Sequence, residues 1–426
     1  MVLRALAIGL ALVASAAPAT PAKPLDSIAR AYVRLSLEAG ERSPEYVDAY
    51  IGPPAWAAAA KAHPRSIAAL RRAATRLVAQ ARAVDARRLA PIERRRRNFL
   101  IAQLVAAQTR LAMAAGVKFR FDAEAVGLFA IRPKLQPLAR FDPVLARIDR
   151  LVPGPGLLAD RVSNYRERFR IPADKLDPVM RAAIAECRAR TLVHFKLPAD
   201  ERFTLEFVTG KPWSGYNYYQ GDNSSLVQVN TDLPVLIDRA VDLGCHEGYP
   251  GHHVQGVLHE QALMKQRGWV EFTVQPLFSP LSVMGEGAGN YGIELAFPGN
   301  DRADFAARVL FPLAGLDPAE APRLEALLAA LRDLSGSRMT IARDYLDGRI
   351  DRATAVVQSQ KYGLTSLARA EQSVAFTDHY RSYVINYGLG RDMVAAAVER
   401  AGPDAAARWA KLYRLLAEPT VPADLK

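Results

Sequence analysis

His246-Glu247-Gly248-Tyr249-Pro250-Gly251-His252-His253 is the stretch on which the reading of this chain turns. Four of the seven histidines lie between positions 246 and 259, and Glu247 directly follows the first of them. In a helical zinc site, His-Glu-x-x-His sets two imidazoles one turn apart and aims the intervening Glu at water on the metal. Here the position four after His246 is Pro250, so that regular spacing is absent. Pro250 cannot donate to the carbonyl of His246, so a helix must kink or open there, and Gly251 tolerates the backbone angles of a break. On an unbroken helix His252 points about 240° away from His246, whereas His253 returns to the same face about 10 Å along the axis. A break that bulges out two residues brings His252 to the position one turn away. The expected ligands are therefore His246 and His252, with His253 as the competing second ligand.

Forty residues on, Ser282-Val283-Met284-Gly285-Glu286-Gly287-Ala288-Gly289-Asn290-Tyr291 supplies a carboxylate among small residues that let two helices approach closely. Glu286 is the expected third ligand, since a carboxylate commonly completes a zinc site of two imidazoles. Glu294, two turns later, is placed to orient a ligand histidine. Zn²⁺ in such a site lowers the pKa of its water to about 7. Glu247 is then the expected general base, taking that proton and passing it to the leaving group. An oxyanion donor is expected from His379-Tyr380-Arg381-Ser382-Tyr383-Val384-Ile385-Asn386-Tyr387. Tyr383 is the choice there, with His379, Arg381 and Tyr387 as the other candidates.

Outward from the motif the chain reads mostly as helix. Apolar residues recur at helical spacing at Ile28, Tyr32, Val33 and Leu35, at Ile67, Leu70, Ala74, Leu77 and Val78, and at Phe99, Leu100, Leu104 and Leu111, with Pro91 placed to open the last of these helices. Asp-Pro opens two more, Pro143–Leu151 and Pro178–Phe195. The β signal is confined to one region: Arg202–Val208 and Ser225–Asn230 alternate with period two, joined by a Gly/Tyr/Asn-rich connection, Thr209–Asp222. After Leu233 the helical pattern returns. The strand ending at Asn230 precedes the histidine segment and offers an edge to an extended substrate, with Tyr216, Tyr218 and Tyr219 as cleft walls. Asn230 and Tyr218 are the expected substrate contacts.

Residues 1–22 read as a signal peptide and tether: a short basic start, an apolar run from Ala5 to Ala14, and Ala14-Ser15-Ala16 as a small-x-small cleavage site. A secreted, periplasmic protein without a membrane span is expected, with 23–426 as one mainly helical catalytic domain divided into an N-terminal helical half (23–200) and a half carrying the sheet and metal site (201–426). The formal net charge is +12. Arg87-Arg88 and Arg94–Arg97 lack interleaved aromatics, so they read as a solvated helix face and no nucleic-acid partner is expected. Cys187 and Cys245 do not make a disulfide framework; one bond is possible in an oxidising compartment, and two small buried apolar residues is the expectation.

The histidine motif, together with Glu-Gly-x-x-Asn-Tyr-Gly at 286–292, Asp48-Ala49-Tyr50, Gly52-Pro53-Pro54 and Ser382-Tyr383, resembles the bacterial family called domain of unknown function 885. That family is similar to helical zinc metallopeptidases of the gluzincin type, in which two histidines and a downstream glutamate hold the metal. Many of its members carry Glu-Gly-Trp-Ala where this chain has Glu286-Gly287-Ala288-Gly289. The resemblance implies a mainly α, large helical metallopeptidase-like fold with a small β-sheet flanking an active-site cleft, and a peptide or other small amide as substrate. A zinc hydrolase of a non-peptide amide or ester shares every feature of the site. A non-catalytic binding protein that keeps the fold has no need of Glu247.

Overall fold

A computed structural model describes residues 24–425 apart from Pro212. The expected signal peptide lies outside the described residues. The chain is mainly α-helical with a small amount of sheet, and no described helix is long and apolar enough to cross a membrane. The helices start where local chemistry provides for their free N–H groups. Ser66, Asp351, Ser366 and Asp404 each accept a bond from the backbone N–H three residues on. Pro91 stands at the first turn of the helix Pro91–Ala114, where its missing N–H has no cost. The two Asp-Pro helices run over Asp142–Leu151 and Leu176–Leu192.

Among the described residues, five strands form two sheets: β1 (Val47–Tyr50), β2 (Arg202–Val208), β3 (Gly215–Gly221), β4 (Ser224–Asn230) and β5 (Val274–Pro276). β2, β4 and β3 lie in that order, β4 running parallel to β2 and antiparallel to β3. Asp222 and Asn223, both at positive φ, make the tight turn between β3 and β4. Two expectations are corrected here. The connection Thr209–Asp222 contains a full strand, because Tyr216, Asn217, Tyr218 and Tyr219 pair with β4 although none is β-branched. The β signal is also not confined to one region, since β1 and β5 pair antiparallel as a second sheet.

That second sheet ties the N-terminal helices to the rest, and so does a buried ion cluster. Arg96 is 1% exposed. Its guanidinium donates to both oxygens of Glu271 (2.5 and 3.0 Å) and to Asp26 (2.6 Å), and it lies over the Trp269 ring. Arg95 reaches Glu418 and Thr420 in the same way. Arg87, Arg88 and Arg94 are solvated as expected, but Arg95 and Arg96 are not; these two join distant segments of the chain. The largest apolar cluster runs through Val254, Leu258, Met284, Ala288, Val394 and Leu412, so the helices that carry the histidines and Glu286 share one core.

Candidate metal centre

The helix Ile237–Leu243 widens into a π-turn over Gly244–Gly248 and then stops. Tyr249 N–H bonds back to Gly244 O and Gly251 N–H to Cys245 O, and the Tyr249–Pro250 peptide is cis. Helix resumes at His252–Leu258. Gly251 is required at the break: a Cβ there would lie 1.8 Å from the carbonyl oxygen of His246. The turn is also fastened from outside, because Cys245 is disulfide-bonded to Cys187 on the helix Leu176–Leu192. This corrects the reading of the cysteines as unbonded apolar residues; 58 positions of separation conceal a Cα–Cα distance of 5.3 Å.

The break places the His246 and His252 rings edge to face, with centroids 4.8 Å apart. His253 turns the other way. It is fully buried and hydrogen-bonded through Nδ1 to Ser225 and through Nε2 to Glu201, both at 2.9 Å, so both nitrogens are committed and it is not available as a ligand. Glu286 arrives on the helix Pro280–Ala296. A stripe of glycines on that helix allows the approach. A Cβ on Gly285 would meet the His252 ring, one on Gly289 would come 2.9 Å from His246 Nδ1, and one on Gly292 would press on Pro250.

One ligand atom from each of His246, His252 and Glu286 lies within 4.8 Å of the others. Ligands at about 2.0–2.1 Å around a tetrahedral ion stand roughly 3.4 Å apart, so the trio needs little closure to hold one. The strongest sign of fit is Glu286 itself. Its Oε1 accepts from Tyr383 O–H at 3.1 Å. Its Oε2 is buried, and its one close polar neighbour is His246 Nε2 at 3.2 Å, an ion pair when the imidazole is protonated. A buried carboxylate needs a positive partner, and a metal ion between it and the imidazole would take the place of the proton they share. The titration behaviour reflects the same juxtaposition. Burial alone would lower His246, yet the Glu286 contact and the Glu247 charge lift it to about 9. Burial alone would raise Glu286, yet His246, His252 and Tyr383 hold it below the usual carboxylate value.

This cluster opens on a cleft of about 2650 Å³. Glu247 lines it, 7% exposed, and among the described residues nothing hydrogen-bonds its carboxylate, while Asn217 Nδ2 holds its backbone carbonyl at 2.6 Å. Tyr387 also lines the cleft, 37% exposed. Burial and the Glu286 charge raise its pKa well above the usual value, which keeps the hydroxyl protonated. Tyr383, in contrast, is buried and spends its proton on Glu286.

The remaining candidates are engaged by other partners, although Glu294 and His379 line the same cleft. Glu294 pairs with Arg391 rather than with a ligand histidine. His379 forms an exposed pair with Glu45, and Arg381 is bound to Glu124. Asn230 donates to Lys211 O and is not among the cleft residues, because β4 is the central strand of its sheet and has no free edge. β3 and β2 are both edge strands, and it is β3 whose residues Gly215–Tyr219 line the cleft. Tyr218 is exposed there, whereas Tyr219 is buried and donates to Glu260.

Asp48 was not singled out for chemistry by the sequence, yet it lines the cleft and accepts a hydrogen bond from Tyr216. The surrounding protein pushes its carboxyl above the usual value, against the Tyr216 bond and the nearby His252. Its place in the Asp48-Ala49-Tyr50 motif was the one available signal.

No family model matches the chain, and no curated protein matches it. The resemblance to the domain of unknown function 885 family thus stands on its motifs. Among solved structures, the chain is similar to a candidate lipoprotein from Colwellia psychrerythraea, with a TM-score of 0.50 and 15% identity over 92% of this chain and 75% of that one. An M32 carboxypeptidase from Deinococcus radiodurans R1 gives a TM-score of 0.48 and 13% identity over 94% of this chain and 93% of that one. At such identity the likeness to the lipoprotein concerns the fold alone.

Proposed function

We propose that the chain is a zinc-dependent peptidase that works in an oxidising compartment outside the cytoplasm. The observation that carries the reading is the meeting of His246, His252 and Glu286 beside a carboxylate, Glu247, that nothing else engages. Two imidazoles and a carboxylate with an open position suit zinc. Bound there, zinc supplies Lewis acidity and brings the pKa of water to about 7. Glu247 accepts the proton of the attacking water and returns it to the leaving amine. Tyr387 donates to the carbonyl oxygen as negative charge develops on it. Tyr383 does not touch substrate in this scheme; it fixes the orientation of Glu286 through Oε1. Along the edge strand β3 an extended peptide finds main-chain groups, and a cleft of about 2650 Å³ exceeds what a single small amide needs. The location is supported by the basic and apolar pattern of residues 1–22 and by the Cys187–Cys245 bond.

The test is Glu247→Gln in the zinc-loaded protein, measured by metal analysis and by hydrolysis of a fluorogenic peptide library. Metal content should stay at the wild-type level while turnover falls on the order of 10²–10⁴-fold. Bound zinc with unchanged turnover would remove Glu247 from the mechanism.

A further inference from the structure

Val47 of β1 pairs with Pro276 and Ala49 with Gln275, so the register slips by one residue between them and Asp48 is the extra, bulged residue. A bulge re-aims the side chain it carries, and such bulges gather beside active sites. Here the bulge sends Asp48 into the cleft rather than into the two-stranded sheet. β5 leads directly into the helix that bears Glu286, so the bulge is held in fixed relation to the metal cluster.

Asp48 is exposed to the cleft and has no cationic side chain of its own among the described residues. Its contact is the Tyr216 hydroxyl, and the charged groups that act on it most are His252 and Glu286. The Tyr216 ring lies against that of Tyr218 with centroids 4.4 Å apart, and Tyr218 is open to the cleft. A carboxylate with no ion-pair partner among the described residues, beside a half-buried tyrosine and an exposed one, is the chemistry that recognises an ammonium group, through charge and through cation–π attraction.

We propose that Asp48, with the faces of Tyr216 and Tyr218, forms a subsite for a primary ammonium group of the substrate beside the metal centre. Resting on the peptidase reading, this makes the preferred substrates peptides that present either a free α-amino group or a lysine side chain next to the scissile bond. Asp48 is then a substrate-binding residue, distinct from the ligands and from Glu247.

The test compares wild type with Asp48→Asn, both zinc-loaded. Asn keeps an acceptor for Tyr216, so a role confined to holding that tyrosine predicts no change. Calorimetric titration uses L-leucinamide, Nα-acetyl-L-lysinamide and Nα-acetyl-L-leucinamide. The substitution should weaken binding of at least one of the two amines by tenfold or more relative to the uncharged amide. The amine affected identifies the source of the ammonium group. In hydrolysis assays the matching peptides should show that loss in KM rather than in kcat. Equal effects on all three compounds, or none, would overturn the subsite. Should no peptide be cut by either protein, the peptidase reading falls, and the leucinamide and lysinamide titrations still decide the role of Asp48.

Discussion

Glu271 and Glu286 are both buried acids, yet the protein treats them in opposite ways. Around Glu271 everything is closed. A guanidinium spans both oxygens, a second acid completes the arginine, and an indole covers it. Even so, burial outweighs Arg96 and leaves the Glu271 carboxyl above its usual value. Glu286 has one oxygen fixed by Tyr383 and the other open toward two imidazoles, and its carboxyl lies below the usual value. The difference separates an acid closed off by fixed partners from one that faces two imidazoles beside a cleft, as the proposed metal site requires. A fixed guanidinium satisfies the first; the second faces the imidazoles of His246 and His252.

The largest effect that can break this contrast is Glu286→Gln. An amide cannot serve as an anionic ligand, so zinc content should fall and peptide hydrolysis should drop by 10³-fold or more, an effect of about 4 kcal/mol on the barrier. The metal-free variant should unfold at a lower temperature than metal-free wild type at neutral pH, because it loses the His246 pairing that holds the carboxyl below its usual value. Full zinc occupancy in this variant, measured by plasma mass spectrometry, would take Glu286 out of the ligand set.

Glu271→Gln should do the reverse. It strands a buried guanidinium with only Asp26 for a partner, at a cost of about 3–5 kcal/mol in chemical denaturation. Zinc content at low temperature should be unaffected. Loss of metal without loss of stability would mean that the two acids are not separate in role.

Much of this was legible, and the limits have physical causes. The three donors named from the sequence come together because a proline and a glycine at fixed spacing leave a helix few alternatives. The choice between His252 and His253 was not legible, since it depends on partners, Ser225 and Glu201, that arrive from the sheet region. β2 showed itself by strict alternation, while β3 was hidden by its glycine and tyrosine content and β1 and β5 by their four and three residues. Arg96 looked like its neighbours in a basic run; composition cannot say which guanidinium meets an acid from a distant segment. The disulfide was equally out of reach, because sequence spacing carries no distance. Tyr383 and Tyr387 differ in burial and in what the hydroxyl meets, which a pattern of tyrosines does not record.

The smallest predicted effect sharpens the contrast at the site alone. Gly289→Ala adds one methyl carbon 2.9 Å from His246 Nδ1 and 3.1 Å from Cε1, too close for a ring that stays still. The obstacle is a side chain and not backbone, so the imidazole can yield by a few tenths of an ångström. Displacing a ligand ring by that amount should weaken zinc by about tenfold, in the range seen when a ligand's support is altered. Thermal stability of the metal-free form should change by no more than about 1–2 kcal/mol, as expected for modest overpacking. Competition with a chelator of known affinity reads the first quantity and denaturation without metal reads the second. A tenfold loss of zinc with little loss of stability would locate the function of the glycine stripe in the approach of Glu286 to the histidines. Equal zinc affinity in the two proteins would show instead that the imidazole of His246 does not need its present position, and with it that the 3.2 Å contact to Glu286 is not what prepares the site for a cation.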